Sequence, residues 1–149
     1  MNGKQRIISA LNRQPVDRTP VWFMRQAGRH LPEYRKIAAE HNFWERCMDV
    51  DLCKAITLQP IERYQKIDAA IIFSDILTPL PSLGYDVEYG GGIRISEFSL
   101  DDVDDWTKFS ARKHAPWAAD GLQAVGEEVG DSIARLGFVG SPWTICMYL

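Results

Sequence analysis

The sequence predicts an α/β fold built on a parallel sheet, and three observations carry that prediction. Short, largely apolar runs at Val21–Met24, Asp68–Ser74 and Leu136–Gly140 have the length and composition of strands covered on both faces. Segments with helical spacing fill the intervals between them, the alternation expected of βαβ units. The polar residues that invite a functional role, Arg25, Arg29, Asp75 and the Ser141–Tyr148 stretch, all follow the carboxyl end of one of these strands.

Taken in order, Lys4–Asn12 places Ile7, Ile8 and Leu11 on one helical face and stops at Pro15, which reads as a short amphipathic covering helix. Val21–Met24 follows Thr19-Pro20 as the first strand. Arg25–His30 reads as a loop, because Gly28 disfavours helix and Leu31, preceding Pro32, is biased toward extended backbone. Pro32 suits the first position of a helix through Tyr34, Ile37 and Ala38. A second helical stretch starts at Asn42. A third runs from about Asp51 to Tyr64, with Pro60 as a kink or a restart. Asp68–Ser74 is the clearest buried strand, and Pro79 and Pro81 read as a loop. Tyr85–Tyr89 and Ile93–Ile95 alternate around Gly90-Gly91-Gly92 as a β-hairpin. Those glycines lack the Lys-Ser/Thr of a phosphate-cradling loop. Asp101–Asp105 is an acidic run that reads as a solvated helix start or loop. Pro116 opens a helix closed by Gly130, and Leu136–Gly140 is the last strand.

Polar residues at the carboxyl ends of parallel strands are the arrangement of a (β/α)8 TIM barrel, whose active site is built from the βα loops at that end. Such a barrel takes roughly 250 residues, so 149 residues correspond to an N-terminal part of one, with no internal domain boundary.

Composition bounds the function. A net charge of −3 and a pI near 5.6 argue against nucleic acid as a partner. No apolar run approaches the roughly 20 residues of a membrane span, and no signal peptide is visible at the N-terminus. Three cysteines, Cys47, Cys53 and Cys146, without CxxC spacing, point to buried thiols in a reducing, cytoplasmic compartment. His30, His41 and His114 are scattered, so no metal site is expected.

Arginine offers a planar, permanently charged fork that grips carboxylates in bidentate fashion. Arg25 and Arg29 on one glycine-containing loop therefore suit a ligand with several carboxylates, although they could equally be surface arginines paired with, for example, Glu33. Asp75, at the end of an apolar strand, has two readings as well. It could cap the following loop or pair with an arginine, or it could accept hydrogen bonds from ligand N–H groups and stabilise positive charge there.

Pro20–Arg29 with Leu31–Arg35 resembles the N-terminal signature of the uroporphyrinogen decarboxylases, and Gln14–Pro20, Phe73–Leu77 and Gly137–Thr144 agree with that family in order and spacing. The resemblance implies a cofactor-free, metal-free carboxy-lyase of porphyrin (heme) biosynthesis that works as a homodimer. It would convert the four acetate arms of uroporphyrinogen to methyl groups, giving coproporphyrinogen. It implies that Arg25, Gln26, Ala27, Gly28 and Arg29 form the substrate loop, that Asp75 gathers the pyrrole N–H groups, and that Tyr148 and Phe43 border the cleft. The catalytic roles fall on Asp75, Arg25 and Arg29. His30 stands where relatives commonly have tyrosine, and the hairpin lacks a proline often found there. The family's later serine and histidine have no counterpart in these residues, so catalysis by this chain alone is not implied. Zinc-dependent methyltransferases of the same fold, a noncatalytic tetrapyrrole binder and an inert structural fragment are the competing readings.

Overall fold

A computed structural model describes residues 1–24, 27–99, 101, 107 and 109–149. Arg25 and Gln26 of the arginine loop lie outside the described residues, as does the acidic run beyond Asp101.

Helix α1 (Gly3–Leu11) starts in a capping box made by Asn2 and Gln5. It covers the sheet, but not through the expected apolar face: Ile8 and Leu11 are exposed, and the buried residues are Gly3 and Arg6. What seats it is charge. Arg6 donates to Asp68 at 2.5 Å and to both oxygens of Asp17 at 2.6 and 2.8 Å. Arg18 adds two bonds to Asp68 at 2.7 and 2.8 Å. Gly3 lies so close to the sheet that a Cβ there would sit 2.8 Å from the Asp68 carbonyl oxygen and 3.0 Å from that of Ser132. Backbone cannot yield as a side chain can, so Gly3→Ala is expected to cost about 1–3 kcal/mol in denaturant unfolding. Unchanged stability would show that α1 can lift off the sheet freely.

The expected first strand does not form. Val21 exchanges hydrogen bonds with Asp68, but one goes to the side chain: Asp68 N–H donates to Val21 O, and Val21 N–H donates to Asp68 Oδ2, both at 2.7 Å. A carboxylate takes the place of a ladder partner, and Phe23 and Met24 stay exposed. Apolar composition signals a preference for burial, not the presence of a pairing neighbour.

Helices α2 (Pro32–Glu40), α3 (Phe43–Met48) and α4 (Val50–Tyr64) follow as expected. Pro60 does not restart α4, which runs through it unbroken from Val50 to Tyr64, and it is buried there. Strand β1 (Ala69–Ile71) is shorter than expected, because the Phe73 N–H is taken at 2.9 Å by the Thr57 hydroxyl of α4. Pro79 and Pro81 form a one-turn helix, α5 (Pro79–Ser82), where a loop was expected. Prolines fit there because first-turn N–H groups have no intrahelical partner to lose.

The hairpin forms as expected, β2 (Val87–Tyr89) antiparallel to β3 (Ile93–Ile95). A single turn, α6 (Ala111–His114), precedes α7 (Pro116–Val129), which ends at Gly130. Strand β4 (Ala134–Leu136) begins two residues before the expected Leu136–Gly140, since its extent is set by its parallel partner β1 in the register Ala69↔Ala134 to Ile71↔Leu136. The last helix is α8 (Pro142–Cys146).

The β1–α7–β4 crossover packs α7 along α4, with Cys53, Ile72 and Val125 between them. A second cluster joins Leu31, Tyr34 and Ile56, and Phe73 touches both. A third lies beneath the hairpin around Leu77, Leu80, Tyr85 and Val87. Two cysteines are buried as expected, but Cys146, on the short α8, is exposed. Burial pushes the Cys53 thiol up to about 11, and burial together with the nearby Cys53 and Asp75 raises Cys47 further. An aromatic disulfide reagent at neutral pH should therefore titrate Cys146 quickly, and the other two only on unfolding. Three equal rates in the native protein would overturn this packing. No helix among the described residues is long and apolar enough to cross a membrane.

Candidate functional site

The arginine loop turns at Gly28, whose φ of +141° few other residues adopt. Its carbonyl accepts the Leu31 N–H at 2.9 Å, which closes the turn and delivers the chain to Pro32. Three side-chain contacts then fix the loop against the helices. Arg35 donates to the Arg29 carbonyl at 2.9 Å, the His30 ring meets the Tyr64 hydroxyl at 2.8 Å, and Glu33 of α2 holds Arg63 of α4 through two bonds of 2.7 and 2.8 Å.

That last pair decides one alternative. Glu33 is engaged by Arg63, which holds its carboxyl down at about 2, so it does not neutralise Arg29. Among the described residues no carboxylate pairs with Arg29.

Two adjoining cavities share Arg29 and Tyr34 in their walls. One, about 470 Å³, is bordered by Ala27, Gly28 and Phe73. The other, about 720 Å³, is bordered by Arg35, Phe43, Arg46 and Tyr89. Both volumes fall in the range of small-molecule sites, roughly 300–1,000 Å³. The structure thus brings together Ala27, Gly28, Arg29 and Phe43.

Asp75 is half-buried just after β1. Its Oδ1 accepts the Leu77 N–H at 2.7 Å, and its carbonyl accepts from the Thr78 hydroxyl at 2.6 Å. The loop-capping alternative is therefore realised for one oxygen, and no arginine among the described residues pairs with the carboxylate. Asp75 and Tyr148 border neither cavity directly; both reach this region through Tyr89. Burial first, then the Asp75 carboxylate, with Tyr148 also nearby, push the Tyr89 phenol far above its usual range, so it stays a neutral donor. Its ring lies 4.6 Å from that of Phe43.

Sequence reasoning passed over Tyr89, Tyr34, Arg35 and Arg46. Two of them carried a signal. Tyr89 shares a hairpin face with Val87 at period two, so one end of that face had to meet the body of the protein. Arg46 sits three residues after Phe43 and one before Cys47, a charge on what should be the buried side of α3.

A family model described as "Uroporphyrinogen decarboxylase (URO-D)" matches residues 2–149. Curated proteins named uroporphyrinogen decarboxylase are 42% identical in Pseudomonas paraeruginosa and 43% identical in Chromohalobacter salexigens, each over 97% of this chain. One from Anaeromyxobacter sp. is 39% identical over 96% of it. The chain spans 42% of the length of the first two and 44% of the third. A match over nearly every residue, reaching from the capped α1 through the arginine loop to α8, means that the chain belongs to the uroporphyrinogen decarboxylase family.

Proposed function

We propose that this chain contributes the substrate loop and the central aspartate of a uroporphyrinogen decarboxylase active site, within a (β/α)8 barrel of which β1 and β4 form part of the sheet. The observation that carries the reading is Arg29, set on the Gly28 turn at the junction of two cavities with no described carboxylate to neutralise it. A ligand with many carboxylates supplies that charge. Arg25 and Arg29 grip the acid arms, Gln26, Ala27 and Gly28 let the macrocycle approach the backbone, Phe43 forms an apolar wall, and Tyr148 closes the side near Tyr89.

Loss of carbon dioxide from an acetate arm leaves two electrons that need a sink. Protonation of the pyrrole at the ring carbon next to the one bearing the arm places positive charge on the arm-bearing carbon, which accepts them as a double bond to the exocyclic carbon, so the substrate serves as its own cofactor. Carbon dioxide departs, a second proton reaches the exocyclic carbon to give methyl, and the ring proton is lost. One proton is consumed for each carbon dioxide released. Asp75, its carboxylate held by the Leu77 N–H, stabilises the cation and accepts pyrrole N–H bonds. The arginines, which do not give up protons near neutrality, bind and orient.

The proposed setting is a cytoplasmic homodimer with neither metal nor nucleic acid. Anaerobic incubation of the whole barrel that contains this chain with uroporphyrinogen, followed by chromatography, tests the reading. Products with fewer carboxylates support it; saturable binding without products points to a tetrapyrrole binder, and neither binding nor products overturns it.

A further inference from the structure

Arg46 presents a problem in charge accounting. It is 8% exposed, on α3, in the wall of the 720 Å³ cavity. Its Nε donates to the Asn42 carbonyl at 3.0 Å and its Nη1 to the Tyr34 hydroxyl at 2.5 Å. Both acceptors are neutral. The neighbouring acid on the same helix, Glu45, is turned away to cap Asn42 N–H at 2.7 Å and to face His41. Among the described residues no carboxylate pairs with Arg46, and its Nη2 has no hydrogen-bond partner.

A buried unpaired charge is costly. Part of that cost is offset by aromatic faces, since the guanidinium carbon lies 5.2 Å from the Tyr34 ring centroid, 5.7 Å from Phe43 and 6.0 Å from Phe73. Those rings surround the guanidinium, and Arg46 with Tyr34 and Phe43 forms part of the cavity wall. Arg29 and Arg35 line the same cavity, and no aspartate or glutamate does. Three guanidinium groups around a space without an acid leave the counter-ion to a ligand.

We propose that Arg46 is a ligand-binding residue, a preorganised carboxylate subsite that takes one acid arm of the tetrapyrrole in the cavity it shares with Arg29. The inference rests on the function proposed above and adds to it a residue in α3, away from the arginine loop. A purely structural Arg46 would serve only to tie α3 to α2 through Tyr34, and the test separates the two roles.

The probe is uroporphyrin, the air-stable oxidised form with the same acid arms, titrated by fluorescence against the 149-residue chain and its variants. Folding is followed by circular dichroism. Arg46→Met should weaken binding by about tenfold to a hundredfold, the size of a lost charge-assisted hydrogen bond. Should that variant fail to fold, Arg46→Gln, uncharged yet able to donate to Tyr34 and Asn42, is judged by the same criterion. Tyr34→Phe cuts the tie between α2 and α3 while keeping the guanidinium, and it should retain most of the affinity. Wild-type affinity in folded Arg46→Met or Arg46→Gln, with weakening in Arg29→Gln, overturns the subsite and leaves the proposed function standing. Equal losses in Tyr34→Phe and Arg46→Met also overturn it, in favour of the structural role. If the unsubstituted chain shows no saturable binding, the subsite and the proposed function fall together.

Discussion

Asp68→Asn is expected to lower stability by about 3 kcal/mol, toward the lower end of the cost of breaking a buried ion pair by removing one partner. Asp68 is 1% exposed and accepts from Arg6, Arg18 and the Val21 N–H. An amide in its place offers only one acceptor oxygen and turns an N–H toward those donors. Arg6, itself 6% exposed, would keep Asp17, which is why the lower end of the range applies. For a chain of this size the melting temperature should fall by roughly 6–12 °C.

The same network sets an acid limit. Burial alone would raise the Asp68 carboxyl, but hydrogen bonds from Arg18, Val21 N–H and Arg6 outweigh it and leave it below the usual range. Arg6 holds Asp17 below its usual range too, and Arg63 holds Glu33 at about 2. With folded-state values depressed, the unfolded chain takes up protons first on acidification. Stability is therefore full above the ordinary carboxylate range and falls as pH drops from about 4 toward 2. Thermal melts across that window, with and without Asp68→Asn, check both claims. A flat profile in the unsubstituted chain would remove the network from the account of stability.

On the proposed function, Asp75→Asn in the whole barrel is expected to reduce decarboxylation in the anaerobic assay by about a hundredfold to a thousandfold, the usual loss when one preorganised electrostatic partner is removed from a transition state. The Leu77 N–H can still be capped by the amide oxygen, so the loop geometry set by the 2.7 Å bond survives while the negative charge does not. Affinity should change much less than turnover, because in the proposed site the acid arms are held by arginines rather than by Asp75. Equal losses in both would mean that Asp75 shapes the ground state and not the reaction.

Much of the site was legible because it is written in local chemistry. Gly28 before Arg29, and Leu31 before Pro32, specify a turn and a helix start within a few residues. The hairpin and the Asn42 and Pro116 helix starts are equally local. What failed was anything needing a distant partner. Val21–Met24 looked like a strand until Asp68 answered its backbone with a side chain. The strand expected at Leu136–Gly140 is displaced because β1 sets the ladder, and Cys146, which composition places in the core, is left in the open by α8. Ile8 and Leu11 looked like the inner face of α1, yet Arg6 holds that helix down through Asp68, 62 residues away.

The sequence by itself determined the alternation of strands and helices, the arginine turn and the family, since each depends on backbone preferences or motifs a few residues long. The tertiary structure alone decided that Glu33 belongs to Arg63, that Tyr89 joins Asp75 to Phe43, and that Arg46 sits buried without an acid. Those are pairings between segments far apart in the chain, and a charge acquires or loses its partner only when folding sets the distances.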